Sequence, residues 1–385
     1  MDFSTPAPAE AFRAELRRWL AENLDDRTRA AGGRLGARGE QLEILREWNH
    51  RLADAGYAAI AWPVEYGGRG AGVMEQVVWT EEMHRARAPA TLNPIGLSNI
   101  APAIMEHGTE EQKRRFLPRM LRGDDIWCQG FSEPDAGSDL ASLRTAALRE
   151  GDHYLVSGQK VWNTLGDVAT HCELLVRTDP QAPKHRGISC LLVDMSLPGV
   201  EVRPIVTISG EESFHELFFD RVRVPRSALL GPENEGWRVA MTTLNHERGG
   251  VASLHLQVRQ RIQDLIQGAR ALEIDGRPAT QEPALRERLA RLYLEGELLK
   301  LLSDRALSAV IHGRAGAEGS LVKLVWSHAD QRVTEVASDV FGPEGLHGEH
   351  GRIRLYARSY TLAGGTTQVN KNVVAQRVLG LPRSH

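Results

Sequence analysis

W-C-Q-G-F-S-E-P-D-A-G-S-D-L-A-S, the stretch from Trp127 to Ser142, is the densest group of hydrogen-bonding residues in the chain. It follows an apparent strand end, and its D-A-G-S-D segment places a flexible glycine between small hydroxyl and carboxylate side chains. Such a segment lets the backbone approach an anionic or heteroaromatic ligand closely. Because Asp, Gly and Ser are also common turn residues, a plain turn is the alternative interpretation. The stretch predicts a binding loop that follows a strand.

The chain before this stretch has the hydrophobic pattern of helices. Apolar residues such as Phe12, Leu16 and Leu20 recur at helical spacing. Thr109 followed by Gln112 is typical of a capping box at the start of a further helix. We therefore predict a helical N-terminal region with an apolar core.

The pattern changes from about residue 126 to residue 225. Short runs rich in β-branched and aromatic residues are separated there by turn sequences such as Glu150-Gly151-Asp152. Evenly spaced strands without intervening helices predict a small antiparallel barrel or sandwich. Helical periodicity returns at Gly236-Trp237, and a further helix is predicted to begin near Pro283. We predict an α+β fold with an N-terminal helical domain (1–125), a middle antiparallel β-barrel domain (126–232) and a C-terminal four-helix-bundle domain (233–385).

The composition is that of an ordinary soluble globular protein, with 42% hydrophobic residues, 25% charged residues and a net charge of -3. Because the sequence has no basic run with interleaved aromatic residues, we expect no nucleic-acid partner. No apolar run has the length needed to span a membrane, and the start of the chain does not have the pattern of a secretory signal. The three cysteines have neither metal-ligand nor redox spacing. We therefore expect a cytoplasmic protein without a metal ion.

The full pattern G-F-S-E-x-x-A-G-S-D-x-x-S, from Gly130 to Ser142, resembles the signature of the acyl-CoA dehydrogenase family. In that family the flavin and the thioester meet at this loop. The resemblance runs from the E-E-Q-K-R-R-F-L-P stretch at Glu110 to the C-terminus. It implies an FAD-dependent enzyme of lipid metabolism that acts on an acyl-CoA and passes electrons to an electron-transfer flavoprotein. It also implies a homotetramer, or a heterotetramer with a paralogous chain.

The resemblance implies cofactor-binding roles for five residues around this loop. Phe131 and Ser132 would lie along the edge of the isoalloxazine ring, where backbone groups and the Ser132 hydroxyl bond its polar atoms. Gln129 would lie nearby. Gly137 and Ser138 would lie where the CoA chain or the cofactor phosphates pass, so Ser138 would also contact the substrate.

Two further segments complete the implied flavin site. K-V-W-N-T, Lys160 to Thr164, resembles the family's K-x-W-I-T motif, which implies that Trp162 and Thr164 pack on the flavin. Without that resemblance, a Trp beside a loop is as readily a core residue. Thr366 and Gln368 match positions that contact the phosphate end of the cofactor. A threonine there also suits a simple helix cap.

The resemblance leaves one position for the catalytic base. Many family members carry a glutamate in an E-G-T-x-x-I pattern near the C-terminus, but the matching G-G-T-T-Q-V of this chain has Gly364 there. A minority, including isovaleryl- and long-chain-type enzymes, carry the glutamate on the long helix after the β domain, directly before an arginine. N-H-E-R-G-G matches that arrangement and implies that Glu247 is the base and that Arg248 supports the substrate. By itself, a Glu-Arg doublet on a helix is usually a solvated face.

Gly364 also bears on the substrate. With Ala363, it would leave its side of the substrate pocket open, because neither residue has a large side chain. This suggests a branched or bulky acyl group.

Two departures from the family pattern concern the adenosine half of FAD. An R-x-x-F-G element that reaches from a neighbouring subunit is missing between Ala271 and Pro283. Asp339 stands where a glutamine is usual, and an acid near phosphates is unfavourable. Three alternatives therefore stay open: a non-catalytic or cofactor-sharing subunit of a heteromeric dehydrogenase, a flavin monooxygenase or oxidase of the same fold, and a binding protein without flavin.

Overall fold

The computed structural model describes residues 5–32, 37–247, 253–274, 276–313 and 316–382. The chain divides into two compact units. The first comprises the residues up to Thr207 together with Glu211–Glu247, and most of the remaining residues form the second. None of the helices described in either unit combines the length and the apolar character required to cross a membrane.

The first unit begins with helices that share an apolar core. Phe12, Leu16 and Leu20 are buried at helical spacing, as the sequence predicts. The predicted capping box is confirmed, because Thr109 and Gln112 each accept a hydrogen bond from the backbone N–H of the other. The helices are α1 (Ala7–Asn23), α2 (Asp26–Ala31), α3 (Glu40–Asp54), α4 (Val73–Arg85), α5 (Ala101–His107) and α6 (Glu110–Arg122).

The strands of the first unit are β1 (Trp127–Gly130), β2 (Ala146–Glu150), β3 (His153–Thr164), β4 (His171–Arg177), β5 (Ile188–Asp194), β6 (Val200–Ile205), β7 (Phe214–Pro225) and β8 (Leu229–Leu230). They form one sheet in the order β6-β7-β3-β2-β4-β5-β8, and β1 pairs in parallel with β4. The predicted α+β class is confirmed. Among the described strands the sheet is open rather than a closed barrel, because β6 and β8 end its path on opposite sides.

The two faces of this sheet are buried in different cores. In β4, Cys172, Leu174 and Val176 pack in a core formed by the strands themselves. Leu175 points the other way and joins the core of the N-terminal helices. Because side chains alternate along a strand, Glu173 lies on the same face as Leu175.

One more helix, α7 (Gly236–Glu247), packs on that second face of the sheet. It begins at Gly236, as predicted. A Cβ atom at Gly236 would lie 2.3 Å from the carbonyl carbon of Ser189 on β5, so the helix can begin this close to the strand only with a glycine. Val239 and Ala240 follow and are buried in the shared core.

The second unit is helical. α8 (Leu254–Ala271), α9 (Pro283–Ile311) and α10 (Glu318–Phe341) share a core that includes Ile262, Leu289 and Val333, and α9 begins at Pro283 as predicted. Between α8 and α9 lies a short antiparallel pair of strands, β9 (Glu273–Ile274) and β10 (Arg277–Pro278). The other described helices of this unit are α11 (Gly348–Tyr356) and α12 (Thr367–Arg377).

Candidate functional site

The predicted binding loop begins where β1 ends, at Gly130, and turns back on itself at once. Glu133 and Ala136 exchange two backbone hydrogen bonds of 3.1 and 3.0 Å, which close a tight turn. The backbone carbonyl of Ser132 accepts a bond of 2.9 Å from the N–H of Val161, so the loop is also tied to β3. The main chain of the loop is therefore fixed from two directions.

A buried ion pair anchors the same loop. Lys160 is fully buried on β3, and its Nζ lies 2.9 Å from Glu133 Oε1 and donates to the Phe131 carbonyl at 3.1 Å. Glu133 also accepts from the backbone N–H groups of Arg144, at 2.6 Å, and Thr145, at 2.8 Å. Burial alone would raise the pKa of Glu133, but the Lys160 ammonium and these hydrogen bonds bring it below its ordinary value. The carboxylate is thus fully satisfied and holds the loop in one conformation.

Two amide side chains beside the loop each have a buried polar atom that forms no hydrogen bond with the described residues. The backbone carbonyl oxygen of Gln129 accepts a hydrogen bond from Asn163 Nδ2. Within the described residues, Gln129 Nε2 and Asn163 Oδ1 are buried without any hydrogen-bond partner. Buried polar atoms are nearly always bonded in native proteins, so this donor and this acceptor mark a place for a polar ligand or water.

Trp162 lies next to this place and faces outward. It has a left-handed φ of 65°, at a bulge where the register of β3 and β7 shifts between Lys160 and Asn163. Its side chain is 59% exposed and meets only the edge of Phe214 among the rings described, at 6.0 Å. A bulky residue in that conformation is strained, and such strain clusters at functional sites. The bulge presents a flat aromatic surface of the kind that stacks on a planar ring.

The other residues predicted in the loop region differ in their exposure. Thr164 is the last residue of β3, and Phe131 is buried. Gly137 and Ser138 are exposed, and a Cβ at Gly137 would have no described atom within 4 Å. The turn that they form is open on its outer side, which suits an extended ligand.

A buried hydrogen bond joins helix α7 to the sheet in this region. The Thr243 hydroxyl donates to Glu173 Oε1 at 2.7 Å, and Glu173 is the strand neighbour of Gln129. Glu173 is fully buried, and its Oε2 has no partner in the part of the chain that the structure describes. Burial raises the pKa of Glu173 to about 8, although the bonds from Thr243 and Cys190 oppose this shift.

The predicted base lies at the end of the same helix. Glu247 is the last residue of α7, and its side chain lies outside the described residues, as does the whole of Arg248. On the helix, Glu247 lies one turn beyond Thr243. α7, the loop and β3 all belong to the first compact unit.

Three predicted site residues lie in the second unit instead. Gly364 has a left-handed φ of 63° and is exposed ahead of α12. Thr366 caps that helix, because its hydroxyl accepts from the N–H of Val369 at 3.1 Å, so the simple cap considered from the sequence is present. Gln368 is exposed in the first turn. A capped N-terminus with an exposed amide is a setting that suits a phosphate.

Asp339, the unusual acid of the second unit, is paired. Its carboxylate accepts a hydrogen bond from the guanidinium of Arg288 on α9, and both side chains are partly exposed. The negative charge at this position is therefore balanced within the chain.

Sequence reasoning missed four residues that shape the site. Lys160 and Glu133 both lie in quoted motifs, but their pairing across 27 positions is not visible in either motif. Glu173 interrupts the apolar run H-C-E-L-L-V, a signal that could have been noticed. Thr243 has no sequence signal, because its role depends on how α7 packs.

Comparison with known proteins covers nearly the whole chain. Residues 7–124, 128–222 and 234–379 match the N-terminal, middle and C-terminal domains of acyl-CoA dehydrogenase. The chain is 40% identical to the acyl-CoA dehydrogenase IpdE1 of Mycobacterium tuberculosis, over 97% of this chain and 98% of that one.

Solved structures agree with this similarity. The ChsE4-ChsE5 complex from Mycobacterium tuberculosis matches with a TM-score of 0.87 and 32% identity, over the full length of both chains. A steroid enzyme described as Tcur3481-Tcur3483 steroid ACAD matches with a TM-score of 0.86 and 33% identity, also over both full lengths.

Proposed function

Because the chain belongs to the acyl-CoA dehydrogenase family, whose members are oxidoreductases acting on CH–CH groups, we propose that it uses FAD to convert an acyl-CoA to the 2-enoyl-CoA. The observation that carries this proposal is the corner formed by the loop and β3. There, an outward-facing Trp162 lies beside two buried amide atoms without partners among the described residues. Such a corner fits a flat ring with polar edge atoms.

The residues of this corner would hold the flavin. Trp162 and Thr164 would pack on the isoalloxazine ring, and the backbone around Phe131 with the Ser132 hydroxyl would bond its polar edge. Gln129 would offer its unused Nε2 as a donor. When bound, the flavin supplies an acceptor for the hydride that leaves the β carbon of the substrate.

Glu247 would take the proton from the α carbon. A carboxylate enclosed by ligand and helix loses solvation, so its pKa rises towards the working pH, which suits a general base. Positioned base catalysis is typically worth about 10² to 10⁴ in rate. Arg248 would support the bound substrate from the next position on the chain.

The more distant parts of the ligands would contact other predicted residues. Gly137 and Ser138 would line the path of the CoA chain, where the turn is open on its outer side. Thr366 and Gln368, at the N-terminus of α12, would bind the phosphate end of FAD. At Gly364 the pocket wall would have no side chain, which would admit a branched or bulky acyl group.

A second candidate is a subunit that shares its cofactor with a paralogous chain. The R-x-x-F-G element is missing from the sequence, and Asp339 pairs with Arg288, so this chain offers little to the adenosine half of a neighbour's FAD. The similar ChsE4 and ChsE5 were solved as a complex. We infer a heterotetramer in which the partner supplies that element. Electron-transfer flavoprotein would accept the electrons.

The unpaired, buried thiols suit a reducing cytoplasm.

Anaerobic bleaching of the flavin by a panel of acyl-CoA thioesters tests the main proposal. Glu247→Gln should keep its FAD but lower the rate of flavin reduction by about 10² to 10⁴, because the proton acceptor is lost. Glu235→Gln, which changes an exposed carboxylate just before the same helix, is the matched control and should react at the wild-type rate. Undiminished flavin reduction in Glu247→Gln would remove the assigned base. Preference for straight short chains over every bulky one would contradict the inference drawn from Gly364.

A further inference from the structure

Glu173 is a polar residue in an otherwise apolar layer. Between the sheet and α7 this layer contains Leu175, Leu192, Val239 and Ala240, all of them buried. Burial of a carboxyl group in such surroundings is unfavourable unless the group is hydrogen-bonded. A glutamate at this position therefore calls for a role that an apolar residue could not fill.

The carboxyl group of Glu173 connects the sheet to α7. Glu173 Oε1 accepts the Thr243 hydroxyl at 2.7 Å, and Cys190 Sγ lies 3.9 Å from the same oxygen. The adjacent hydroxyl, Thr242, faces the other way and lies 2.8 Å from His107 Nε2 on α5. Successive threonines thus link the helix to the sheet on one side and to α5 on the other.

A hydrogen bond controls helix rotation in a way that apolar contacts do not. Burial of Val239 and Ala240 favours contact but has no directional preference. A hydroxyl-to-carboxyl bond weakens steeply when its angle changes. The contact between Glu173 and Thr243 therefore selects one rotation of α7 about its axis.

That rotation matters because Glu247 follows Thr243 by four residues. The two lie about 6 Å apart along the helix and about 40° apart around it. A rotation of roughly 20° would displace a carboxylate at the helix surface by about 2 Å, since helices with side chains are about 10–12 Å across. A misplacement of about 1 Å can lower a rate by about 10².

Resting on the function proposed above, we propose that Glu173 is a positioning residue that fixes the rotation of α7 through Thr243 and so sets the direction in which Glu247 projects. The groups that face it are consistent with this role. Gln129 on β1 and Cys190 on β5 flank it, and burial raises the pKa of Cys190, which remains a thiol. With the pKa of Glu173 at about 8, its carboxyl is neutral at pH 7 and needs no counter-ion.

Single-turnover flavin reduction by an acyl-CoA tests the proposal in the holoenzyme. Thr243→Val and Glu173→Leu remove the hydrogen bond while keeping the approximate size of each side chain. We expect both to slow flavin reduction by about 10- to 100-fold, because the base is misplaced, while FAD content and acyl-CoA affinity stay at wild-type values. Glu173→Gln keeps an acceptor for Thr243 and should restore a rate close to that of the wild type.

Two controls separate positioning from general loosening. Arg238→Gln changes a well-exposed side chain earlier on the same helix and should leave the rate near the wild-type value. Thr243→Ser keeps the hydroxyl and covers the case in which the valine variant fails to fold. The kinetic pKa of the base should shift in Thr243→Val, because the enclosure of Glu247 changes, and should not shift in Arg238→Gln.

Failure of this inference can be told from failure of the proposed function. If wild-type enzyme is bleached and Glu247→Gln is not, the function stands, and a wild-type rate in Thr243→Val overturns the positioning role alone. Parallel loss of FAD and of acyl-CoA affinity in Glu173→Leu and Thr243→Val would also overturn it, because the effect would then be structural. If no acyl-CoA bleaches the wild type, both proposals fall together.

Discussion

Glu133 and Glu173 are buried glutamates in the same compact unit, yet their surroundings push them to opposite protonation states. Glu133 faces an ammonium group and two backbone donors, which bring its pKa below the ordinary value despite burial. Glu173 has one hydroxyl donor and a distant thiol, and its pKa rises to about 8. Glu133 is slightly less buried and has a charged partner and more donors, and together these differences decide which carboxyl group is ionised.

The two glutamates also have different structural roles. The ionised Glu133, with Lys160, ties together the loop, β3 and the start of β2, so the loop cannot move without breaking a charged contact. The neutral Glu173 forms one strong bond and keeps an oxygen without a partner among the described residues. A charged tie on the loop and a single directional bond on the helix suit a site that must hold a cofactor firmly and aim a base in one direction.

The largest expected effect comes from breaking the ionised site. Lys160→Met would leave Glu133 as an uncompensated buried charge, which should lower the free energy of unfolding by about 3–5 kcal/mol. Urea denaturation at pH 7 measures this change. Adding Glu133→Gln to that variant should recover part of the lost stability, because no buried charge is then left unpaired.

A matched control for this variant is an exposed ion pair that also involves the loop, through Asp139. Lys184 pairs with Asp139 at 2.7 Å, but both side chains are well exposed. Lys184→Met should therefore change stability by at most about 1 kcal/mol. Equal losses in the two methionine variants would mean that the buried pair has no special part in holding the loop.

The next effect is expected at the neutral site, where the change per pH unit is smaller and the total depends on the pH range. The pKa of Glu173 is about 8 in the folded protein against an ordinary value of 4.5, so its contribution is fully present below pH 4.5 and is lost as pH rises towards 8. Glutamine does not titrate. The stability of Glu173→Gln relative to wild type should therefore increase between pH 5 and pH 8, by at most about 1.4 kcal/mol per pH unit.

Chemical denaturation of both proteins at pH 5, 6.5 and 8 checks this dependence. A difference in the free energy of unfolding that stays constant over that range would show that Glu173 is already ionised in the folded state. The comparison between the two glutamates would then lose its basis.

The smallest effect concerns the hydrogen bond that Thr243 donates to Glu173. Thr243→Val should lower the free energy of unfolding by about 1–3 kcal/mol, because a buried acceptor loses its partner. In a background of Glu173→Leu the same change should cost less, since no acceptor remains. Additive losses in this double-mutant cycle would argue that the two side chains do not interact.

The fold could be predicted where its signals are local. The capping box of Thr109 and Gln112 was confirmed, as were the starts of α7 at Gly236 and α9 at Pro283, because caps and helical periodicity depend on neighbouring residues. Whether the strands close into a barrel depends on pairing between distant strands. That pairing has no local signal, and the open sheet was not foreseen.

The candidate site was predictable only in part, for the same reason. The motif at Lys160 to Thr164 pointed to Trp162, but its left-handed backbone arises from a bulge against β7. Glu173 could be seen as an oddity within an apolar strand, yet its state depends on Thr243, which is 70 positions away. The roles assigned to Glu247, Thr366 and the other site residues stay predictions.

The conformation of Trp162 has a consequence for cofactor exchange. A left-handed residue of this size costs on the order of 1–3 kcal/mol. This strain is part of the free energy of folding, so ligand binding does not add it. For the flavin proposed above, the indole would already be exposed, so little ordering of this residue would remain on binding. Loss and reloading of a prosthetic group at this corner would then proceed with almost no rearrangement of the surrounding strands, so the empty and loaded forms should be nearly superimposable there.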